Sequence, residues 1–513
     1  MPDRNRYLWV GLIVILLITV PYLFAVFSSS EEAVFGGFLF NPIDGYSYLA
    51  KMRQGQAGSW TFRLSYTPDP GEGAPVFLFY LALGHLARLL GLTLPVVFHL
   101  ARILGAAGML WALSLFWKRL FQDAHKSWLA FLISALGSGA GWLGLLTGVF
   151  PIDFWVAEAY PFLSAYSSPH FAIGLGLMLL LLVPDQINSP WLSGLCAVTL
   201  GIIQPFGLIV VLAVRGLDEM IQLLRRKPRS LRELFREKSV LSAAVIGVLG
   251  TAVLSWQYLL IQQDPVLSVW QDQNLTPTPP FWDLVLGLAP WLFFAPLALL
   301  ENNFHRYHKL LVTWLLAALV LAVVPWDLQR RALTGIMVPL SGLGAAVMLR
   351  IKEKLNWKQG TVLITAFCLM IPTNLVILLS GFNAAAKTDP QIYLARSDRQ
   401  AMEWLAEEGQ RTDLVLANPR IGLYLPAYSS VRVWYGHPFE TPDAERRRRM
   451  MSQVFGAELN IQTLDGLISE LEADYLFVSA RDSQRVREQL MQLGQTEYVD
   501  GQTMILSREG MNE

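Results

Sequence analysis

The run YLWVGLIVILLITVPYLFAVF, Tyr7 to Phe27, followed at once by polar chain from Ser28 to Pro75, decides how the rest of the sequence is read. The apolar run follows Arg4 and Arg6 and is long enough to cross roughly 30 Å of hydrocarbon at about 1.5 Å per residue. A signal peptide has a shorter apolar core and a small-residue cleavage site, so this run reads as a retained first membrane span. The polar stretch holds Asp44, Lys51, Arg53, Arg63, Asp69 and Glu72 and cannot lie in lipid, where its backbone would go unsatisfied. It is expected to be a loop outside the membrane.

Composition supports the same solvent. The chain has 513 residues, is 53% hydrophobic and has a mean hydropathy of +0.40, too apolar for a protein that must cover itself with polar surface. Lys+Arg and Asp+Glu balance at 40 each, so no global field points to nucleic acid, and what matters is where the charges fall. Cys196 and Cys368 both sit in apolar runs, which argues against a disulfide framework or a thiolate metal site.

Val76 to Leu90 is apolar but short and carries His85 and Arg88, so it is expected to lie at the interface. Further spans are expected at about Leu94–Trp117, Trp128–Val149, His170–Val183, Trp191–Ile203, Phe206–Leu223, Val240–Ile261, Leu284–Leu300, Leu310–Val324, Ala332–Leu349 and Thr361–Ser380. With the first, that makes about eleven. Parity then puts Lys118, Arg119 and Lys126, the loop Arg225–Lys238, His305–Lys309 and Arg350–Lys358 on the cytoplasmic side, as the positive-inside rule prefers.

The expected organisation is thus a polytopic all-α membrane domain over residues 1–386, whose external loop 28–93 carries interfacial helices, and a small extracytoplasmic α/β domain over residues 387–513. In the second, Asp413–Ala417, Val431–Tyr435, Tyr475–Val478 and Met504–Leu506 read as strands, and Thr441-Pro442 as the start of a helix carrying Arg446 to Arg449. That arginine run reads as a mostly solvated face. Localisation follows: a multi-pass protein of the plasma or inner membrane, N-terminus cytoplasmic and C-terminus extracytoplasmic.

Three places could carry chemistry. In Phe40-Asn41-Pro42-Ile43-Asp44-Gly45-Tyr46-Ser47-Tyr48, an acid lies just beyond the first span with tyrosines beside it. There a general base could meet substrates from lipid and from water, making Asp44 the leading catalytic candidate and Tyr46 a binding candidate. The competing reading is that Asp44 only caps a helix. In the second external loop Asp153 and Glu158 stand among Phe154, Trp155, Tyr160, Phe162 and Tyr166, a composition suited to sugar faces and hydroxyls but also to an interfacial aromatic belt. His170, at the mouth of the next span, is a further binding candidate or an ordinary interface histidine.

In Pro325-Trp326-Asp327-Leu328-Gln329-Arg330-Arg331, two arginines on the external side run against the positive-inside bias. Arg330 and Arg331 are candidates for a lipid-linked phosphate, whose oxygens match the guanidinium fork, unless Asp327 or ordinary anionic lipid holds them. No metal-ligand spacing, phosphate-cradling glycine loop or nucleophile elbow is present, so no cofactor is expected, with a divalent metal left open.

Taken together, these residues resemble the GT-C superfamily of membrane glycosyltransferases, which includes oligosaccharyltransferases, protein O-mannosyltransferases and aminoarabinose transferases. Asp44 stands where that superfamily has an acid in the first external loop, Val76–Leu90 is similar to its interfacial helix, and Trp191–Leu223 with its central Gln204-Pro205 resembles its paired short spans. Gln204 stands where many members carry a basic residue and is taken as a binding candidate, and the usual paired acid motif is reduced to one Asp. Gln329-Arg330-Arg331 and Tyr435-Gly436-His437-Pro438-Phe439-Glu440-Thr441-Pro442 look like motifs of bacterial members that end in a small external domain. The resemblance implies transfer of a sugar from a polyprenyl-phosphate-linked donor in the cell envelope, on the extracytoplasmic side and with inversion. Partners would be that lipid and the bilayer, and not nucleic acid. The alternatives are a lipid-carrier transporter without chemistry, or a membrane scaffold.

Overall fold

A computed structural model describes residues 3–183, 187, 189–226, 237–300, 306–456 and 458–508. Most of the expected basic loop (227–236), His305 and the C-terminal residues 509–513 lie outside the described residues. A helix stands at each expected apolar run, yet the count of about eleven spans is not established. Among the described residues five helices are long and apolar enough to cross a membrane: Asn5–Phe27, Leu94–Leu120, Ala124–Leu146, Lys238–Gln263 and Gln329–Lys354. The total is seven if each of two bent pairs counts as one span: Phe281–Leu288 with Trp291–Ala298, bent by 72°, and Gln359–Met370 with Pro372–Ala386, bent by 54°. Pro169–Leu182 and Pro190–Ile203 have 14 residues each, about 21 Å of helix, short of the hydrocarbon thickness.

The break expected at Gln204-Pro205 is present. One helix ends at Ile203, Gln204 takes φ −149° and ψ 79°, and Pro205 opens the next helix, Pro205–Arg226. The proline ring disfavours helical geometry at the residue before it and suits a first turn, where no N–H is needed.

The chain divides into two compact units, and they are not the linear halves 1–386 and 387–513: one takes residues 1–21, 99–256 and 276–382, the other 22–98, 257–275 and 383–513. In the first, which may be called the helical unit, every residue from Met337 to Met348 of the helix Met337–Lys354 is buried, so it is apolar all round. Gly342 lies against the Trp117 ring and Gly344 against Trp291, and a Cβ at either would fall 2.6–2.7 Å from those rings. The two glycines let large indoles close on the helix.

Strand pairing and packing explain why the second unit gathers three stretches of chain. β1 (Ala33–Phe35), just past the first apolar helix, pairs antiparallel with β2 (Tyr393–Ala395), just past the last. The segment 257–275 joins through a cluster of Phe62, Leu64, Ala74, Val76, Leu81, Leu267 and Trp270. Asp264 caps the helix Pro265–Gln273 and accepts the Gly73 N–H at 2.6 Å.

The remaining strands are β3 (Leu414–Ala417), β4 (Arg432–Val433), β5 (Tyr475–Val478), β6 (Gln495–Asp500) and β7 (Thr503–Ser507). They form one sheet in the order β4-β3-β5-β7-β6, with β4-β3-β5 parallel and β7 and β6 antiparallel. Four strands fall where the sequence places them. β2 and β6 were not expected, because β2 is very short and β6 is largely exposed and polar. The arginine-bearing helix begins at Ala444, with Asp443 rather than Thr441 at its N-cap. Thr441 is buried, and its hydroxyl accepts the Gly436 N–H.

Candidate active site

Asp44 lies on the helix Pro42–Gln56, which Asn41 caps with φ 45° and Pro42 opens. Asp44 is therefore in the first turn and is not the cap, the alternative role considered for it. Asp44, Ser47 and Lys51 follow one another at i, i+3 and i+7, which puts all three on one face of the helix. The loop His437–Thr441 meets that face at two levels. His437 Nε2 lies 3.6 Å from Asp44 Oδ1, and Asn41 donates to Asp44 Oδ2 at 2.5 Å. Deeper, Lys51 Nζ donates to Glu440 Oε1 at 2.6 Å, and the Ser47 hydroxyl donates to the same oxygen at 2.5 Å.

Lys51 is 1% exposed and Glu440 is likewise buried, while the Asp44 side chain keeps 34% of its surface open. Burial by itself would raise the Glu440 pKa. Lys51 nearby, with the hydrogen bonds from Lys51 and Ser47, outweighs it and holds the carboxyl below its usual range. The Lys51 ammonium also lies 4.6 Å from the Phe77 ring centre and 5.1 Å from Phe62. Glycines bring the neighbouring helix Leu78–Leu90 close: a Cβ on Gly55 would meet the Leu81 carbonyl, and one on Gly84 the Met52 carbonyl.

Tyr46, on the same helix, has no exposed surface; its ring packs edge-on to Phe38 and Tyr424, and burial raises its pKa well above the usual value. It is part of the core beneath Asp44.

The other candidates belong to the helical unit. Arg331 Nη1 donates to Glu158 Oε1 at 2.7 Å, so a proposed phosphate ligand and a proposed sugar ligand are partners, where the sequence had suggested Asp327. The Gly335 N–H binds the Glu158 carbonyl at 2.9 Å, tying the two loops a second time. Arg331 also lies 5.1 Å from the Phe206 ring and Arg330 4.9 Å from the Trp155 ring. Asp153 is fully buried and accepts the Gly141 N–H at 3.0 Å. Burial pushes its carboxyl up to about 7, against hydrogen bonds from Thr373 and backbone N–H groups that act to lower it.

His170 is half-buried beside Phe171. Gln204 is 1% exposed, its amide facing Gly174 and Gly207. Two buried cations are engaged within the fold: Arg102 donates to the carbonyls of Ile18 and Ala165, and Arg215 pairs with Glu219 at 3.4 Å. Among the described residues no three His, Cys, Asp or Glu side chains come together as a metal-holding group.

Ser47, Lys51, His437 and Glu440 were not among the candidates. The first two share the helical spacing of Asp44, which was visible. Nothing local announces that Lys51 pairs with a residue 389 positions away.

No protein-family model and no curated protein matches the chain. Solved structures do. An oligosaccharyltransferase of Archaeoglobus fulgidus in its apo form matches with a TM-score of 0.53 at 12% identity, over 92% of this chain and 69% of that one. ArnT of Cupriavidus metallidurans, bound to undecaprenyl phosphate, matches with a TM-score of 0.52 at 13% identity, over 97% of this chain and 98% of that one. The mycobacterial arabinofuranosyltransferase AftD matches with a TM-score of 0.52 at 13% identity, over 99% of this chain but only 40% of its own length. All three are GT-C glycosyltransferases, and this chain has the GT-C fold. It is a membrane protein of that fold, with a small α/β sheet in its second unit; at such low identity the likeness speaks to the fold alone.

Proposed function

We propose that the protein transfers a sugar from a polyprenyl-phosphate-linked donor to an acceptor on the extracytoplasmic side of the plasma or inner membrane. The observation that carries this reading is Asp44: a partly exposed carboxylate in the first turn of the helix that follows the first span, held by Asn41 and faced by His437. The GT-C fold supports the class of reaction, and similar structures hold undecaprenyl phosphate or dolichol phosphate. In the proposed step Asp44 takes the proton of an acceptor hydroxyl and that oxygen attacks the anomeric carbon from the face opposite the donor phosphate. The bond from carbon to phosphate oxygen breaks, giving inversion and a free polyprenyl phosphate. Arg330 and Arg331, the latter held by Glu158, are proposed by themselves as ligands of a lipid-linked phosphate, whose oxygens match the guanidinium fork. The engaged state of Arg102 and Arg215 favours this reading over a transporter.

Asp44→Asn is the test, because Asn keeps the size and cannot act as the base. Transfer from a purified lipid-linked donor should fall by at least about a hundredfold with folding unchanged. Transfer at the wild-type rate would remove Asp44 from the chemistry. The orientation, N-terminus inside and C-terminus outside, belongs to the same proposal; a C-terminal reporter active only in the cytoplasm would overturn it.

A further inference from the structure

We infer that His437 is the positioning residue of Asp44, and that the loop from Gly436 to Thr441 is folded so as to present its ring. The inference rests on the reading of Asp44 as the base.

The ring has a defined tautomer. Its Nδ1 accepts two backbone N–H groups, those of Phe439 and Glu440, each at 3.1 Å, as an Asn or Asp side chain does in a turn. A nitrogen that accepts carries no proton, so the proton of the ring is on Nε2. His437 is 2% exposed, and Nε2 has no hydrogen-bond partner among the described residues. A buried N–H left without a bond is destabilising. The group nearest to completing one is the Asp44 carboxylate, at 3.6 Å, about 0.7 Å beyond an ordinary N–H···O bond.

The loop cannot easily carry the ring elsewhere. Three residues past His437, Glu440 is bound by Lys51 and Ser47, which lie on the same helix face as Asp44. Gln273 holds the Thr441 carbonyl at 2.9 Å from the other side. Base and ring are therefore referred to one rigid element.

Chemically, the Nε2 N–H, drawn in to bond distance of Oδ1, joins the Asn41 amide on Oδ2 in fixing the plane of the carboxylate. Fixing that plane sets the direction from which the carboxylate meets the acceptor hydroxyl. Proton transfer is sensitive to such placement: a misplacement of about 1 Å can cost about a hundredfold. His437 takes no proton itself.

Two variants separate positioning from folding. His437→Asn keeps an oxygen able to accept the Phe439 and Glu440 N–H groups but lacks the reach to Asp44. His437→Gln has a donor at about the reach of Nε2 and gives up the turn. With a lipid-linked donor, His437→Asn should keep the wild-type melting temperature and KM while kcat falls about tenfold to a hundredfold. His437→Gln should retain more kcat than His437→Asn despite a lower melting temperature. Wild-type kcat in His437→Asn, or equal losses in both variants, would overturn the inference.

A readout independent of transfer is the imidazole 15N spectrum of the full chain in detergent. One histidine, identified by its loss in His437→Asn, should show a protonated Nε2 and an accepting Nδ1, and its Nε2 signal should move in Asp44→Asn. An unmoved signal overturns the coupling even if transfer depends on Asp44. A moved signal in a chain that transfers no sugar supports the coupling and leaves the proposed function to fall alone.

Discussion

Glu440 in the second unit and Asp153 in the helical unit are both carboxylates withdrawn from water, and the two units hold them differently. Glu440 has a lysine and a hydroxyl on one oxygen and is held ionised, its pKa below the usual range. Asp153 receives its hydrogen bonds from Thr373 and backbone N–H groups, all neutral, and its pKa rises to about 7. Burial penalises the charged form in both; the fate of the group is settled by whether a full opposite charge was buried with it. An ion pair of this kind is a joint between two chain segments, whereas a lone acid in a loop is a group that titrates where the protein works.

The largest effect expected from breaking this contrast is at Lys51. Lys51→Met leaves Glu440 buried without its cation and should destabilise the second unit by about 3–5 kcal/mol, read from its unfolding by limited proteolysis or thermal melting. Adding Glu440→Leu should recover most of the loss, since an apolar pair of similar volume replaces a buried ion pair at little cost. A single variant as stable as the wild type would show that the pair is not a joint. The wild-type pair also has a pH signature. A depressed carboxyl pKa contributes stability that is present above the ordinary carboxylate range and lost as the pH falls through the folded value.

Asp153 has the opposite sign. Its raised pKa means that its contribution is full below the ordinary carboxylate pKa and is lost as the pH rises through about 7. Between about pH 5 and pH 8 the helical unit should lose about 3 kcal/mol from this one group, and Asp153→Asn should flatten that slope. Thermal melts of both proteins at the two pH values decide it; identical slopes would mean that the carboxyl is not titrating there.

The smallest effects are expected along Arg446 to Arg449. The sequence reading took the whole run as a mostly solvated face, and Arg446, Arg448 and Arg449 are exposed. Arg447 is not: it donates to the Thr67 hydroxyl at 3.1 Å and lies 5.0 Å from the Trp434 ring. Reversing the charge of the three exposed arginines should change stability by no more than about 0.5 kcal/mol and leave turnover intact, whereas Arg447→Ala should cost about 1 kcal/mol. Equal losses from the two variants would remove the distinction.

How far the molecule could be read from its sequence depended on the range of the interactions involved. The membrane helices were legible because burial in lipid demands long apolar runs, and the break at Gln204-Pro205 because proline acts on its nearest neighbours. Asp44 was legible as an acid at the end of a span. Its status as a first-turn residue rather than a cap was not, since it depends on Asn41 adopting a left-handed conformation. The number of spans was not settled by hydropathy, which marks apolar runs without saying which are short or bent: among the described residues five helices, or seven with the bent pairs, have the length of a bilayer.

By itself the sequence determined a membrane protein with a loop carrying Asp44, a small α/β region after it, and a pattern resembling GT-C enzymes. Only the tertiary structure decided that the loop 28–93 and the C-terminal region are one unit, joined by β1 with β2 and by Lys51 with Glu440. It alone put His437 before Asp44 and Glu158 on Arg331. The physical reason is that solvent partition and local backbone preference act residue by residue along the chain. A salt bridge or a strand pair between segments hundreds of residues apart is encoded only in the whole packing, and its members carry no mark of their partners.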